Sequence, residues 1–92
     1  MHAMVVRVKV DMAQNEDAVK HLHEEVVPNV SGLPGFSAGY WTRTSEGQGT
    51  AMVLFDSEAN AKQAATMFEQ IPVQQHGVTR ESVDIAEVVA HA

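Results

Sequence analysis

Hydrophobic and polar positions alternate from Met4 to Val10. Met4, Val6, Val8 and Val10 fall on one face and Val5, Arg7 and Lys9 on the other, the period of a strand. A helical period follows. Gln14 or Asn15 begins it, Asn15 suits an N-cap, and Glu16 and Asp17 complement the positive end of the helix dipole. Val19, Leu22, Val26 and Val30 recur at spacings of three and four and draw an apolar stripe. Pro28 predicts that the regular helix stops near Val27, because the residue before a proline is pushed out of the helical region. Ser31 to Gly35 is a loop by composition.

Phe36 to Thr44 reads as a second strand, and Glu46-Gly47 as a two-residue turn into a return strand from Gln48 to Asp56. That register sets Trp41 opposite Met52, Arg43 opposite Thr50 and Tyr40 opposite Val53. Asp56 or Ser57 caps a second helix whose buried face is Ala61, Ala64, Ala65 and Phe68, and Pro72 stops it. Val73 to Thr79 is a connection without a clear period. Arg80 to Val89 reads as the last strand, with Val83, Ile85, Glu87 and Val89 on one face and Ser82, Asp84, Ala86 and Val88 on the other.

The resulting order predicts an α+β, ferredoxin-like βαββαβ domain spanning residues 1–92. It would have a four-stranded antiparallel sheet with two helices on one face. The strand from Gly49 to Asp56 has no polar side: Ala51, Val53 and Phe55 share one face and Met52 and Leu54 the other. Two helices cover one face, so the open face is expected to meet a second copy of the chain in a homodimer. Trp41, Arg43 and Met52, or their neighbours one step along, are expected there. A one-residue slip would exchange the two sets.

Ninety-two residues fit one domain, and the formal charge of −6 argues against nucleic acid and anionic membrane surfaces, both of which select clustered Lys and Arg. The chain has no cysteine, which removes disulfides, thiolate metal sites and cysteine nucleophiles. No apolar run approaches the ~20 residues of a membrane span, and the N-terminus lacks a signal-peptide pattern, so no membrane role and a cytoplasmic location are expected.

Leu33-Pro34-Gly35-Phe36, the hairpin ending Ala51-Met52-Val53-Leu54-Phe55-Asp56-Ser57, and Glu58-Ala59-Asn60-Ala61 resemble the dimeric α/β-barrel superfamily. Within it, they are most similar to the antibiotic-biosynthesis-monooxygenase-like domains. The resemblance covers nearly the whole chain and rests on element order and size. It implies two sheets stacked face to face in a dimer and a cavity between sheet and helices. Members include cofactor-independent quinone-forming monooxygenases, haem-degrading enzymes, isomerases and proteins without known activity. The oxidising members use Asn, Trp and His, with Trp and His on or near the second helix. This chain has neither between Ser57 and Gln70, so no catalytic residue is carried over.

The candidate pocket drawn from the residues is His23, Tyr40, Trp41, Arg43 and Met52. Trp41 can stack on a planar ligand and Arg43 can pair with an anion. The plainer alternative packs Trp41 in the dimer interface with Arg43 at its rim. His21 and His23, two apart on a helix, point about 200° away from each other and cannot chelate one ion together. His23 lies near the edge of the apolar stripe, where an imidazole can exchange a proton, and His21 nearly opposite it. His76 is expected at the surface, and His2 and His91 at mobile termini. Metal and cofactor are expected to be none. RNA binding fails on the chain's own octamer, Gln48 to Phe55, where Thr50 and Met52 replace stacking aromatics. Two readings remain: a cofactor-independent monooxygenase-like enzyme acting on a planar hydrophobic small molecule, or a non-catalytic dimeric small-molecule-binding module.

Overall fold

The alternation at the N-terminus becomes a strand, β1 (His2–Val10), whose even-numbered residues Met4 and Val6 are buried and whose Arg7 and Lys9 are exposed, in the computed structural model of residues Met1–Ala92. It starts at His2, not beyond it. His2 pairs with Phe55 and Glu87, and its Nε2 lies 3.5 Å from a Glu58 carboxylate oxygen, so this terminus is part of the sheet.

Asp11 ends the strand and caps a short 3-10 turn (Met12–Gln14) by accepting a 3.0 Å hydrogen bond from the Ala13 N–H. The cap is therefore Asp11. Asn15 is already helical, and its side-chain oxygen is buried without a donor. The helix α1 then runs without a break through an α-helical segment (Asn15–His21), a π-helical segment (Leu22–Val26) and a second α-helical segment (Val27–Ser31).

Pro28 does not end the helix, contrary to the expectation from sequence. Val27 stays helical at φ −61° and ψ −48°, and its N–H reaches back five residues to the Leu22 carbonyl. The wider π turn is one way a helix carries a residue that cannot donate to the ladder.

The loop after α1 leads into β2 (Phe36–Arg43), which pairs antiparallel with β3 (Gln48–Phe55). The turn between them has three residues, Ser45, Glu46 and Gly47, and not two. The Thr44 N–H donates to the Gln48 carbonyl at 2.9 Å, and Gly47 takes φ 92°, a conformation that favours glycine. The extra residue shifts the whole register by one. Trp41 pairs with Ala51, Arg43 with Gly49 and Tyr40 with Met52. The expected pairs are thus replaced, and so is the assignment of faces.

Ser57 caps the second helix, α2 (Glu58–Glu69), by accepting from the Asn60 N–H at 3.2 Å. Its buried residues are Ala61, Ala64 and Ala65, as the spacing predicts, while Phe68, expected with them, is half-buried. The expected connection after Pro72 instead holds a two-residue strand, β4 (Gln74–Gln75). It forms a tight hairpin with β5 (Val78–Glu87) through His76 and Gly77, both at positive φ. The sheet therefore has five strands, in the order β2-β3-β1-β5-β4, with all pairings antiparallel. The architecture is α+β and compatible with a ferredoxin-like fold.

Both helices cover the same face. Val30 of α1 and the three alanines of α2 share a core with Met4, Val6, Val53 and Phe55, and Phe55 is fully buried. Burying one such phenylalanine contributes roughly 1.5–3 kcal/mol. Residues paired across the strands share a face, so the uncovered face can be read row by row. One row is Ala38, Leu54, Ala3 and Ala86; the next is Tyr40, Met52, Val5 and Asp84; the third is Thr42, Thr50, Arg7 and Ser82. The first two rows are mainly apolar, and Tyr40 and Met52 are 61% and 44% exposed. No helix of the chain is long and apolar enough to cross a membrane.

Candidate functional site

Between α1 and the covered face of the sheet lies a cavity of about 720 Å³, with 16 hydrophobic residues among its 28 lining residues. Its size falls within the range of small-molecule sites. The floor follows from the register. Arg43, Gly49, Val8 and Arg80 stand in one row across four strands, and Trp41, Ala51 and Val6 form most of the next. Ala51 keeps the middle of the floor low, and Gly49 makes room for the Val8 side chain to lie across it. Val19, Leu22 and Val26 of α1 form the wall above it, and Phe68 and Ile71, at and just beyond the end of α2, close one end.

Trp41, the single tryptophan, is half-buried in this floor. A Cβ at Gly39 would come within 2.6 Å of its ring, so the indole lies back across Gly39 and needs a glycine there. Arg43 is exposed. Its Nη1 donates to the Thr44 carbonyl at 2.9 Å and reaches the Met12 sulfur at 3.7 Å.

Arg80 is held differently. Its guanidinium donates to the carbonyls of Phe68 at 3.0 Å, Ile71 at 3.1 Å and Glu69 at 3.5 Å, and lies 5.3 Å from the centre of the Phe68 ring. It thus closes the C-terminal end of α2, where a cation suits the helix dipole. A bulge decides this placement. Arg7 pairs with Ser82, but Val8 pairs with Arg80, so Glu81 is left out and Arg80 takes the covered face.

The five candidate residues are divided by the register. His23, Trp41 and Arg43 line the cavity together. Tyr40 and Met52 pair with each other on the opposite, uncovered face. The open face was expected to hold Trp41, Arg43 and Met52 or their neighbours one step along; Met52 stands there, with Tyr40 and Thr42 in place of Trp41 and Arg43. His23 is exposed at the cavity margin.

His21, expected at the surface, is half-buried and lines the cavity instead. The reason is the unforeseen hairpin of β4 and β5, which covers the flank of α1. His76 at its tip stacks on His21 with ring centroids 4.0 Å apart and planes 19° from parallel. His76 Nδ1 lies 3.0 Å from an Asp17 carboxylate oxygen, and the Gln75 side-chain amide lies 3.0 Å from His21 Nε2. With the proton on Nε2 and the Gln75 amide turned so that its oxygen accepts it, His21 Nδ1 keeps a free lone pair. This cluster gives the cavity a positioned imidazole, which can take or return a proton.

His21, Gln75, Arg80 and Asn15 are among the polar lining residues that sequence reasoning missed. Asn15 presents a buried oxygen without a donor. No group of three or more His, Asp or Glu side chains is arranged to hold a metal ion. Asn60, the one residue of α2 whose type matches the resemblance, lies outside the cavity and donates to an Asp56 carboxylate oxygen at 2.8 Å. No protein-family model, curated protein or solved structure matches the chain.

Proposed function

We propose that the protein is a homodimer in which each subunit holds a planar hydrophobic small molecule in the cavity between α1 and the sheet. The carrying observation is the cavity of about 720 Å³ that brings Trp41, His23 and Arg43 together. An apolar floor next to an indole favours flat, carbon-rich ligands, which gain both burial and stacking. The dimer reading draws support from the two apolar rows of the uncovered face, which a second copy would bury as in a dimeric α/β barrel. These readings stand on the geometry and on the resemblance noted from sequence.

The activity we propose is that of a cofactor-independent, monooxygenase-like enzyme. His21 supplies the feature that favours catalysis over simple binding. It takes a proton from an acidic ring CH2 of the bound molecule, and the resulting carbanion reduces molecular oxygen directly. One oxygen atom becomes the product carbonyl, and the other leaves as water with the two hydrogens. The test is oxygen uptake with a panel of hydroquinones, phenols and ring ketones bearing such a CH2, alongside thermal denaturation with the same compounds. Uptake that falls in the His21→Ala variant supports the enzyme. Stabilisation by a ligand without uptake identifies the alternative, a non-catalytic dimeric binding module. Neither effect across the panel removes both readings.

A further inference from the structure

The charges around the cavity run against those of the chain. Twelve Asp and Glu face six Lys and Arg in the sequence, yet the cavity lining holds two arginines and a single carboxylate, Glu25. The two arginines differ in what they already hold. Arg80 is occupied by three main-chain carbonyls and the Phe68 ring. Arg43 uses only Nη1, on its neighbour's carbonyl and a thioether, and it lies within 4.0 Å of no carboxylate. Its Nε and Nη2 N–H groups are left without a protein acceptor, and that edge of a guanidinium matches a carboxylate with two parallel hydrogen bonds.

From this we infer that the cavity selects a planar aromatic anion, with Arg43 binding the acid group and the rings lying over Val8 and Ala51 beside Trp41. The inference rests on the proposed ligand cavity and adds the charge of its occupant. The spacing fits. Arg43 and Trp41 are two residues apart on one strand, about 7 Å along the sheet, which is the reach of a bicyclic aromatic acid. Ala51, directly opposite Trp41, keeps the floor low there, and Gly49, opposite Arg43, is covered by the small Val8 side chain. Where Arg43 pairs with Gly49, a Cβ at position 49 would meet the Val8 Cγ2 at 2.6 Å. Glycine there lets the Val8 side chain lie across the strand, so Val8 supplies the apolar floor beside the guanidinium.

The experiment uses two flat probes of the same shape, 2-naphthoate and its neutral amide, 2-naphthamide. Each is titrated into the full, 15N-labelled chain while the Trp41 indole N–H and Arg43 Nε–H resonances are followed. Naphthoate should shift both and bind about tenfold more tightly than the amide, the usual advantage of a charge-assisted pair. In Arg43→Gln the two probes should bind equally, with Trp41 still responding. Arg43→Lys should restore part of the preference, since it keeps the charge and loses the fork. Equal affinities in the unmodified protein, or a preference that survives Arg43→Gln, would overturn the inference and leave the apolar cavity standing. A response confined to Tyr40 and Met52, or no response at Trp41 from either probe, would remove the cavity reading and this inference with it.

Discussion

Arg80→Ala tests whether one side chain from β5 secures the end of α2. The substitution removes hydrogen bonds of 3.0 and 3.1 Å to the Phe68 and Ile71 carbonyls, a longer one of 3.5 Å to Glu69, and the guanidinium over the Phe68 ring. Hydrogen bonds with a charged donor contribute about 1.5–3 kcal/mol, and a half-exposed cation over a ring about 0.5–1 kcal/mol. The Phe68 carbonyl keeps a second donor, the Ile71 N–H at 3.1 Å, and water can reach part of the site. The net loss should therefore be about 2–3 kcal/mol, at the lower end of the combined figure. In a domain of this size that lowers the melting temperature by roughly 10–20 °C. Arg80→Lys should recover part of it, and Arg43→Gln, which removes only exposed contacts, should cost less than about 0.5 kcal/mol. Urea denaturation followed by circular dichroism at one fixed protein concentration measures all three. If Arg80→Ala falls within about 0.5 kcal/mol of the unmodified protein, the cap assigned to Arg80 is wrong.

Three further outcomes follow from the same geometry. Gly47→Ala should lose at least about 2 kcal/mol in denaturant titration, because a Cβ at φ 92° would meet the Val10 carbonyl oxygen and the register-setting turn would have to change. Asn15→Ala should leave stability unchanged or slightly raised in the same assay, since it removes a buried oxygen that has no donor. Leu54→Lys, in the most apolar row of the uncovered face, should leave the circular dichroism spectrum native and halve the mass measured by sedimentation. A variant that still sediments as a dimer would place the interface elsewhere.

The order of the longer elements was legible because it depends on period and punctuation, whereas the two-residue strand β4 was not. The alternation of Met4 to Val10, the alanine face of α2 and the Ser57 cap all stand where the sequence puts them. What failed were decisions made by a single residue. Glu46-Gly47 fits a two-residue turn in composition, but Ser45 joins the loop, and that one position moved Trp41 and Arg43 to the covered face. The bulge at Glu81 did the same for Arg80. Period two carries no mark of where an extra residue is absorbed, so neither shift could be read from the pattern. Pro28 misled because its usual effect was offset by a π turn five residues long. His21 was misjudged for a different reason. Helical phase tells which side meets the sheet, and it is silent about a hairpin that covers the flank. The signal available was His76-Gly77 between Gln75 and Val78, since His tolerates positive φ better than most residues and Gly follows it.

Of the candidate site, Trp41, Arg43 and His23 were found by chemistry and brought together by the fold, whereas Tyr40 and Met52, expected in the same pocket, stand on the uncovered face. Their exposure on the uncovered face is also what most needs a partner. Sedimentation equilibrium of the unmodified protein from micromolar concentrations upward tests that directly. The account predicts a species of twice the 10.0 kDa chain mass, dissociating only on dilution. A single 10.0 kDa species throughout that range would contradict it.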